Sequence, residues 1–225
     1  MSQTAQISDA PPPRHEEILA AIRDMIFTGQ LIGGQRVPEK IICEKLSISR
    51  TPLREAIKVL ASEGLLELPP NRGARVSRLT ATDVDEMFPV MGALEGLAGG
   101  ISCGRITDDE IDDIRALHYQ MAAHHKRREL NEYFALNQKI HEAIMAASGN
   151  AALAGMYASL AARIRLARYR ANLSSPRWDQ AMAEHDDILA AITQRDGPKL
   201  TDVLLTHLKN TCETVKMGIN NTEAE

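Results

Sequence analysis

Histidine and arginine carry the chemistry that this chain of 225 residues could perform. On a helical period, His141 borders the apolar stripe Tyr133, Leu136, Ile140 and Ile144, and Asn137 stands one turn earlier on the same face. His185 falls in step with Ala181, Met182, Ile188 and Leu189, and His207 with Val203, Leu204 and Thr211, so both should point inward. Each of the three alone reads as a hydrogen-bonded core histidine. Together, three inward imidazoles on three helices and one amide oxygen could surround one divalent ion. Imidazole suits zinc, nickel, copper or iron. The other histidines read as structural: His15 borders the N-terminal arm, His118 lies beside the Ile111, Ile114 and Met121 stripe, and His124 and His125 occupy a solvated helix end.

A second constellation is cationic. In Ser49-Arg50-Thr51-Pro52-Leu53-Arg54-Glu55-Ala56, Ser49 is a natural N-cap and Pro52 is tolerated in a first helical turn. Leu53, Ala56, Ile57 and Leu60 form one apolar face, which leaves Arg50, Arg54 and Lys58 on another. Arginine is well shaped to grip a guanine edge or a phosphate, and a recognition helix presents its N-terminal residues to the major groove. The charge distribution agrees: residues 36–78 hold nine Lys+Arg against five Asp+Glu, while residues 79–225 hold fifteen against twenty-one, within an overall charge of -4. The basic part is the candidate nucleic-acid surface.

These residues need helices to position them. Aromatics make up only 4%, and 3.6-period stretches far outnumber alternating ones, so a mainly α protein is expected. Residues 1–13 read as a disordered arm. Helices should run from Arg14 to Phe27, from Pro38 to Leu46 with Ile41, Ile42 and Leu46 inward, and from Ser49 to Glu63 with Gly64 as terminator. Leu65–Leu68 and Ala74–Arg78 are strand-like and flank the turn cluster Pro69-Pro70-Asn71-Arg72-Gly73, which makes residues 14–78 a winged helix-turn-helix with a small β-hairpin wing. Further helices are placed near 82–103, 107–128, 131–148, 150–171, 176–195 and 198–217, one of them opened by a capping box at Thr107–Glu110. Short loops between them make residues 79–218 an antiparallel helical bundle, followed by a flexible tail over 219–225. Cys43, Cys103 and Cys212 are widely spaced, which favours a reducing cytoplasm over a disulfide framework or zinc finger. No stretch approaches the roughly 18 apolar residues of a membrane span, so no membrane partner is expected.

The motif Ser49 to Ala56, with Leu60-Ala61-Ser62-Glu63-Gly64-Leu65 and Pro70-Asn71-Arg72-Gly73-Ala74-Arg75-Val76 after it, resembles the DNA-binding domain of GntR-family transcription regulators. The later half is similar to the all-helical FCD-type effector domain of the FadR subgroup, through Leu94-Glu95, Asn137-Gln138-Lys139-Ile140-His141 with Ala147-Ser148-Gly149-Asn150, and Glu184-His185-Asp186. The resemblance implies that Lys40, Ser49, Arg50, Thr51 and Arg54 face DNA, with Arg72 and Gly73 at the wing tip. It also implies a metal set of Asn137, His141, His185 and His207, with zinc or nickel as the expected cofactor. Asn137 stands where the subgroup often has Asp, and Met91 where it often has Arg. Open positions on such an ion would attract a carboxylate, so a small organic acid is the expected effector, with Arg163 and Arg165 as candidate anion contacts and surface snorkelling as their competing reading.

The leading expectation is a ligand-responsive repressor that binds a near-palindromic operator as a homodimer. One alternative is a DNA-binding regulator whose bundle only dimerises. The other is a metalloenzyme with a DNA-binding head. The chain has no Glu-x-x-His pair, His141-Glu142 is not followed by a second histidine at metalloprotease spacing, and neither a Gly-rich phosphate loop nor a Gly-x-Ser-x-Gly elbow occurs. No enzyme activity is therefore expected.

Overall fold

A computed structural model describes residues 15–171 and 174–223. The arm expected over residues 1–13, and the last two residues of the chain, lie outside that description. The chain divides into two compact units, one ending at Arg78 and the other beginning at Leu79.

In the first unit, α1 (His15–Phe27) and α2 (Glu39–Leu46) pack on α3 (Arg50–Ser62), and a short antiparallel ladder pairs β1 (Leu66–Glu67) with β2 (Arg75–Val76). The apolar face of α3 is the hub, with Leu53, Ala56, Ile57 and Leu60 all buried. Arg23 of α1 donates through Nε to Glu63 Oε2 at 3.0 Å, which ties α1 to the far end of α3. Beyond that end Gly64 adopts φ +73°, its N–H bonds Ala61 O, and the Leu65 N–H bonds Leu60 O, both at 3.0 Å. This is a Schellman closure, and it turns the chain into the wing.

Three expectations change in this unit. Ser49 occupies the N-cap with extended backbone, but its hydroxyl makes no capping bond. With Arg50 as the first helical residue, Pro52 stands at the third position and offers no N–H to the hydroxyl. Ile41 points outward at 62% exposure, because a helix turns about 100° per residue and Ile42 takes the core-facing direction. The ladder is also shorter than the strand-like runs suggested, yet it gains a third edge: the Val76 N–H bonds Gln35 O and the Val37 N–H bonds Ala74 O, both at 2.9 Å, and Arg36 bridges Arg75. The Gly33-Gly34 pair disguises that segment as plain loop.

The second unit is all helical among the described residues: α4 (Ala81–Cys103), α5 (Asp108–Arg127), α6 (Leu130–Ala147), α7 (Ala151–Ala171), α8 (Ser175–Thr193) and α9 (Gly197–Glu223). Capping boxes open α4 at Thr80–Asp83 and α5 at Thr107–Glu110. One apolar cluster is built mostly from α5, α6, α8 and α9, and a second mostly from α4, α7 and α9. The last helix does not stop at 218. Ile219 continues the stripe of Val215 and packs on the second cluster, so helix replaces the expected flexible tail as far as Glu223. No helix among the described residues is long and apolar enough to cross a membrane.

The left-handed residue behind α3 gives a direct test. Gly64→Ala should destabilise the protein by roughly 1–2 kcal/mol, since a Cβ at that φ meets the following carbonyl. Urea unfolding measures this, and an unmoved midpoint would remove Gly64 from the account of how α3 ends.

Candidate functional site

The first unit presents its cations around the start of α3. Lys40, Ser49, Arg50, Thr51, Arg54 and Arg72 are all exposed. Arg36, Lys40, Arg50 and Arg54 line one concave surface of about 560 Å³ together with Glu39 and Ile41. Glu39 Oε2 lies 3.7 Å from Arg54 Nε, and Lys40 Nζ lies 3.9 Å from Glu44 Oε1, loose exposed pairs that cost little to exchange for another anion. Lys58 contacts Glu55 at 2.8 Å. At the wing, Asn71 and Gly73 take φ +59° and +70°, which leaves Arg72 at the outside of the turn. Arg36 belongs to this surface as well. Sequence reading missed it because it stands alone in a glycine-rich segment.

The second unit brings the predicted histidines together. His141 on α6, His185 on α8 and His207 on α9 are fully buried, and one ring nitrogen from each lies within 4.8 Å of the others. Their ring centroids are 5.1–5.3 Å apart. Asn137 is buried one turn before His141, and its Nδ2 has no hydrogen-bond partner. Neither ring nitrogen of His141 or His185 makes a hydrogen bond.

Two carboxylates stand behind this cluster. Glu184 Oε2 lies 2.6 Å from His207 Nδ1, and Glu184 also accepts from Arg177 Nη2 at 2.8 Å and Asn210 Nδ2 at 2.6 Å. With an acceptor at Nδ1, His207 carries its proton there and directs the Nε2 lone pair elsewhere. Glu95, buried on α4, accepts from Arg168 Nη2 of α7 at 2.6 and 2.7 Å. Its Oε2 approaches His141 Nδ1 at 3.1 Å without the alignment of a hydrogen bond. Burial pushes the Glu95 carboxyl up, but the Arg168 guanidinium outweighs it and holds the group down at about 2.

The imidazoles are lowered as well, which for them favours the uncharged form. Burial first, then mutual repulsion, pushes His185 well below its ordinary value. Burial takes His207 down to about 4 although Glu184 opposes it, and burial also lowers His141. All three are therefore uncharged at neutral pH with lone pairs available, the state that a metal ligand needs. Buried ring nitrogens without partners are costly, and this donor set fits a divalent ion with imidazole preference.

The remaining predicted residues are placed differently. Arg163 on α7 contacts Asp83 Oδ1 beside the α4 capping box, and Arg165 is half-buried on the same helix. Arg168, further along α7, is the arginine that reaches the neighbourhood of the cluster; its signal was present in the run Arg163, Arg165, Arg168, but its partner lies 73 residues away. His124 and His125 are not simply solvated. His124 Nδ1 meets Glu129 Oε2 at 2.6 Å, and His125 Nε2 meets Asp179 Oδ1 at 2.8 Å while its ring stands edge-on to Trp178. His118 is buried with Nε2 3.0 Å from Asp186 Oδ1.

Comparison with known proteins bears on both units. Residues 14–76 match the pattern of bacterial regulatory proteins of the gntR family, and residues 86–210 match the FCD domain. The HTH-type transcriptional regulator YdhC of Bacillus subtilis is 28% identical over 209 residues, spanning 92% of this chain and 93% of its own. The HTH-type transcriptional repressor RspR of Escherichia coli K12 is 24% identical over 206 residues, spanning 91% and 90%. In fold, the chain is similar to E. coli McbR/YncC at a TM-score of 0.80 and 18% identity, over 91% of this chain and 97% of that one.

The neutral histidines predict an acid-side loss of stability. His207 has an ordinary value of 6.5 when unfolded and about 4 when folded, so between those values the unfolded chain holds the extra proton. Stability of metal-free protein should be full above pH 6.5 and decline as the pH falls toward 4. Thermal unfolding in chelator across this range should show the decline, with a shallower slope for His207→Gln. An equal slope in the variant would contradict the assignment.

Proposed function

The chain belongs to the GntR family of bacterial regulatory proteins and carries an FCD domain, and on that premise we propose that it is a ligand-responsive repressor binding a near-palindromic operator as a homodimer. That it is a DNA-binding transcription regulator and no enzyme follows from the family and from relatives such as YdhC and RspR. In this reading residues 14–78 bind operator DNA through Lys40, Ser49, Arg50, Thr51, Arg54, Arg72 and Gly73. Residues 79–218 bind the effector and dimerise, and exposed apolar side chains on α4, Val90 and Leu97, support a partner surface there. The cytoplasm is the compartment that DNA binding requires.

The observation that carries the sensing half is the convergence of three uncharged imidazoles, two of them, His141 and His185, with no hydrogen-bond partner on either ring nitrogen. Asn137, His141, His185 and His207 would hold a divalent ion, zinc or nickel. When bound, that ion would supply open coordination positions for a carboxylate, hence a small organic acid as effector. The chain's own residues do the positioning: Glu184 orients His207, and the Glu95–Arg168 pair backs His141. Glu95, Ala98, His141, Ile144, Met145 and Leu204 also line a narrow crevice beside the cluster, too tight to hold a water molecule. An effector changes operator affinity only as far as it binds the DNA-competent and other states unequally.

Two measurements test this reading. Metal analysis of tag-free protein should find near-stoichiometric zinc or nickel, lost in His185→Ala and held more tightly in Asn137→Asp; metal-free protein that resists loading would end the metal role and leave the bundle as a metal-independent effector pocket or a plain dimerisation domain. For the reading head, Arg54→Ala should weaken operator binding by roughly 1–3 kcal/mol if its guanidinium grips a base. A gel-shift titration with unchanged affinity would take Arg54 out of the interface.

A further inference from the structure

Arg36 sits in the extended segment that hydrogen-bonds along the outer edge of β2. Its neighbour Val37 is buried, so alternation turns the Arg36 side chain outward on the exposed side of the wing. There it lies against the bare Cα of Gly73. A Cβ at Gly73 would stand 2.9 Å from Arg36 Nε, 3.1 Å from Nη2 and 3.3 Å from Cζ. The φ of +70° is what requires glycine at position 73, and the Arg36 guanidinium occupies the space beside it.

Arg36 also lines the concave surface that Lys40, Arg50 and Arg54 share. The acid of that surface, Glu39, is turned to Arg54 at 3.7 Å. Arg36 has no carboxylate partner among the described residues. A planar fork of donors lying between wing tip and recognition helix and left without an anion is suited to bidentate contact with a phosphate.

We propose that Arg36 is a further DNA-contact residue, gripping a backbone phosphate between the groove read by α3 and the strand followed by the wing. This rests on the reading of the first unit as the DNA-binding head. A phosphate is favoured over a base because Arg36 projects from the edge of the wing and not from the N-terminus of α3, and phosphate contacts set register without reading sequence.

The test uses full-length protein and two duplexes, one selected by the wild type from a random library and one of unrelated sequence. Binding is followed by fluorescence anisotropy over a salt series for wild type, Arg36→Gln, Arg36→Lys and the exposed control Lys199→Gln, each checked for an unchanged thermal melt. Arg36→Gln should weaken both duplexes by similar factors and make the slope of log K against log salt shallower by about 0.9 per protomer. Arg36→Lys should keep the slope, and Lys199→Gln should match wild type. Arg36→Gln with the wild-type slope overturns the proposal even if affinity falls, since a residue that merely props Gly73 releases no counterion. Weakening confined to the selected duplex overturns it too, in favour of a base contact. Wild-type protein that binds neither duplex would defeat the DNA-binding reading itself, a result separate from any property of Arg36.

Discussion

A charge inside an apolar bundle must be answered there, because an unpaired buried carboxylate or guanidinium costs on the order of several kcal/mol. The second unit meets this constraint twice. Glu95 of α4 is answered by Arg168 of α7, and Glu184 of α8 by Arg177 of the same helix, which also donates to Thr211 of α9. Each pair stands directly behind an imidazole. Glu184 fixes the His207 proton on Nδ1, and Glu95 lies close to the equivalent atom of His141. Loss of either arginine would leave a stranded carboxylate and a histidine whose orientation had lost its support. The arrangement of the cluster depends on these pairs more than on any contact among the histidines themselves.

The first unit follows a different logic, since its candidate DNA-contacting cations are exposed and the buried apolar face of α3 sets where they point. Leu53, Ala56, Ile57 and Leu60 lock that helix against α1 and α2, so Arg50 and Arg54 emerge in a fixed direction. The missing cap bond at Ser49 belongs to the same economy. Pro52 removes the amide that the hydroxyl would otherwise accept from, and the hydroxyl stays available on the exposed side.

Most of the architecture is legible in the sequence, because long amphipathic helices write their period directly. Every helix of the second unit except the last begins and ends within two residues of the place expected from periodicity and caps. The inward faces of His141, His185 and His207 are legible for the same reason. What is not legible is contact between residues far apart in the chain. Arg168 meets Glu95 across 73 residues, and Glu184 meets His207 across 23; no local pattern encodes either distance. Arg163 and Arg165 drew attention by type alone, whereas the arginine that closes a buried pair is the one whose helical phase points it at α4. Short elements mislead for a related reason: the eight-residue α2 buries only a narrow face, which Ile42 takes while Ile41 stays exposed.

Charge balance within the second unit bears on what an ion there would recruit. Glu95 and Arg168 cancel, Glu184 and Arg177 cancel, and burial keeps His141, His185 and His207 uncharged. Asn137 adds an amide where an aspartate would add a negative charge. A divalent ion held by these four residues would keep nearly its whole charge in a low-dielectric interior, where electrostatic interactions are strong. Such an ion binds less tightly than one with a carboxylate in its ligand set, and it attracts an external anion more strongly. In the proposed reading, an amide at Asn137 in place of a carboxylate would weaken metal binding and sharpen the preference for an acidic effector, and ion and acid would stabilise each other on the protein.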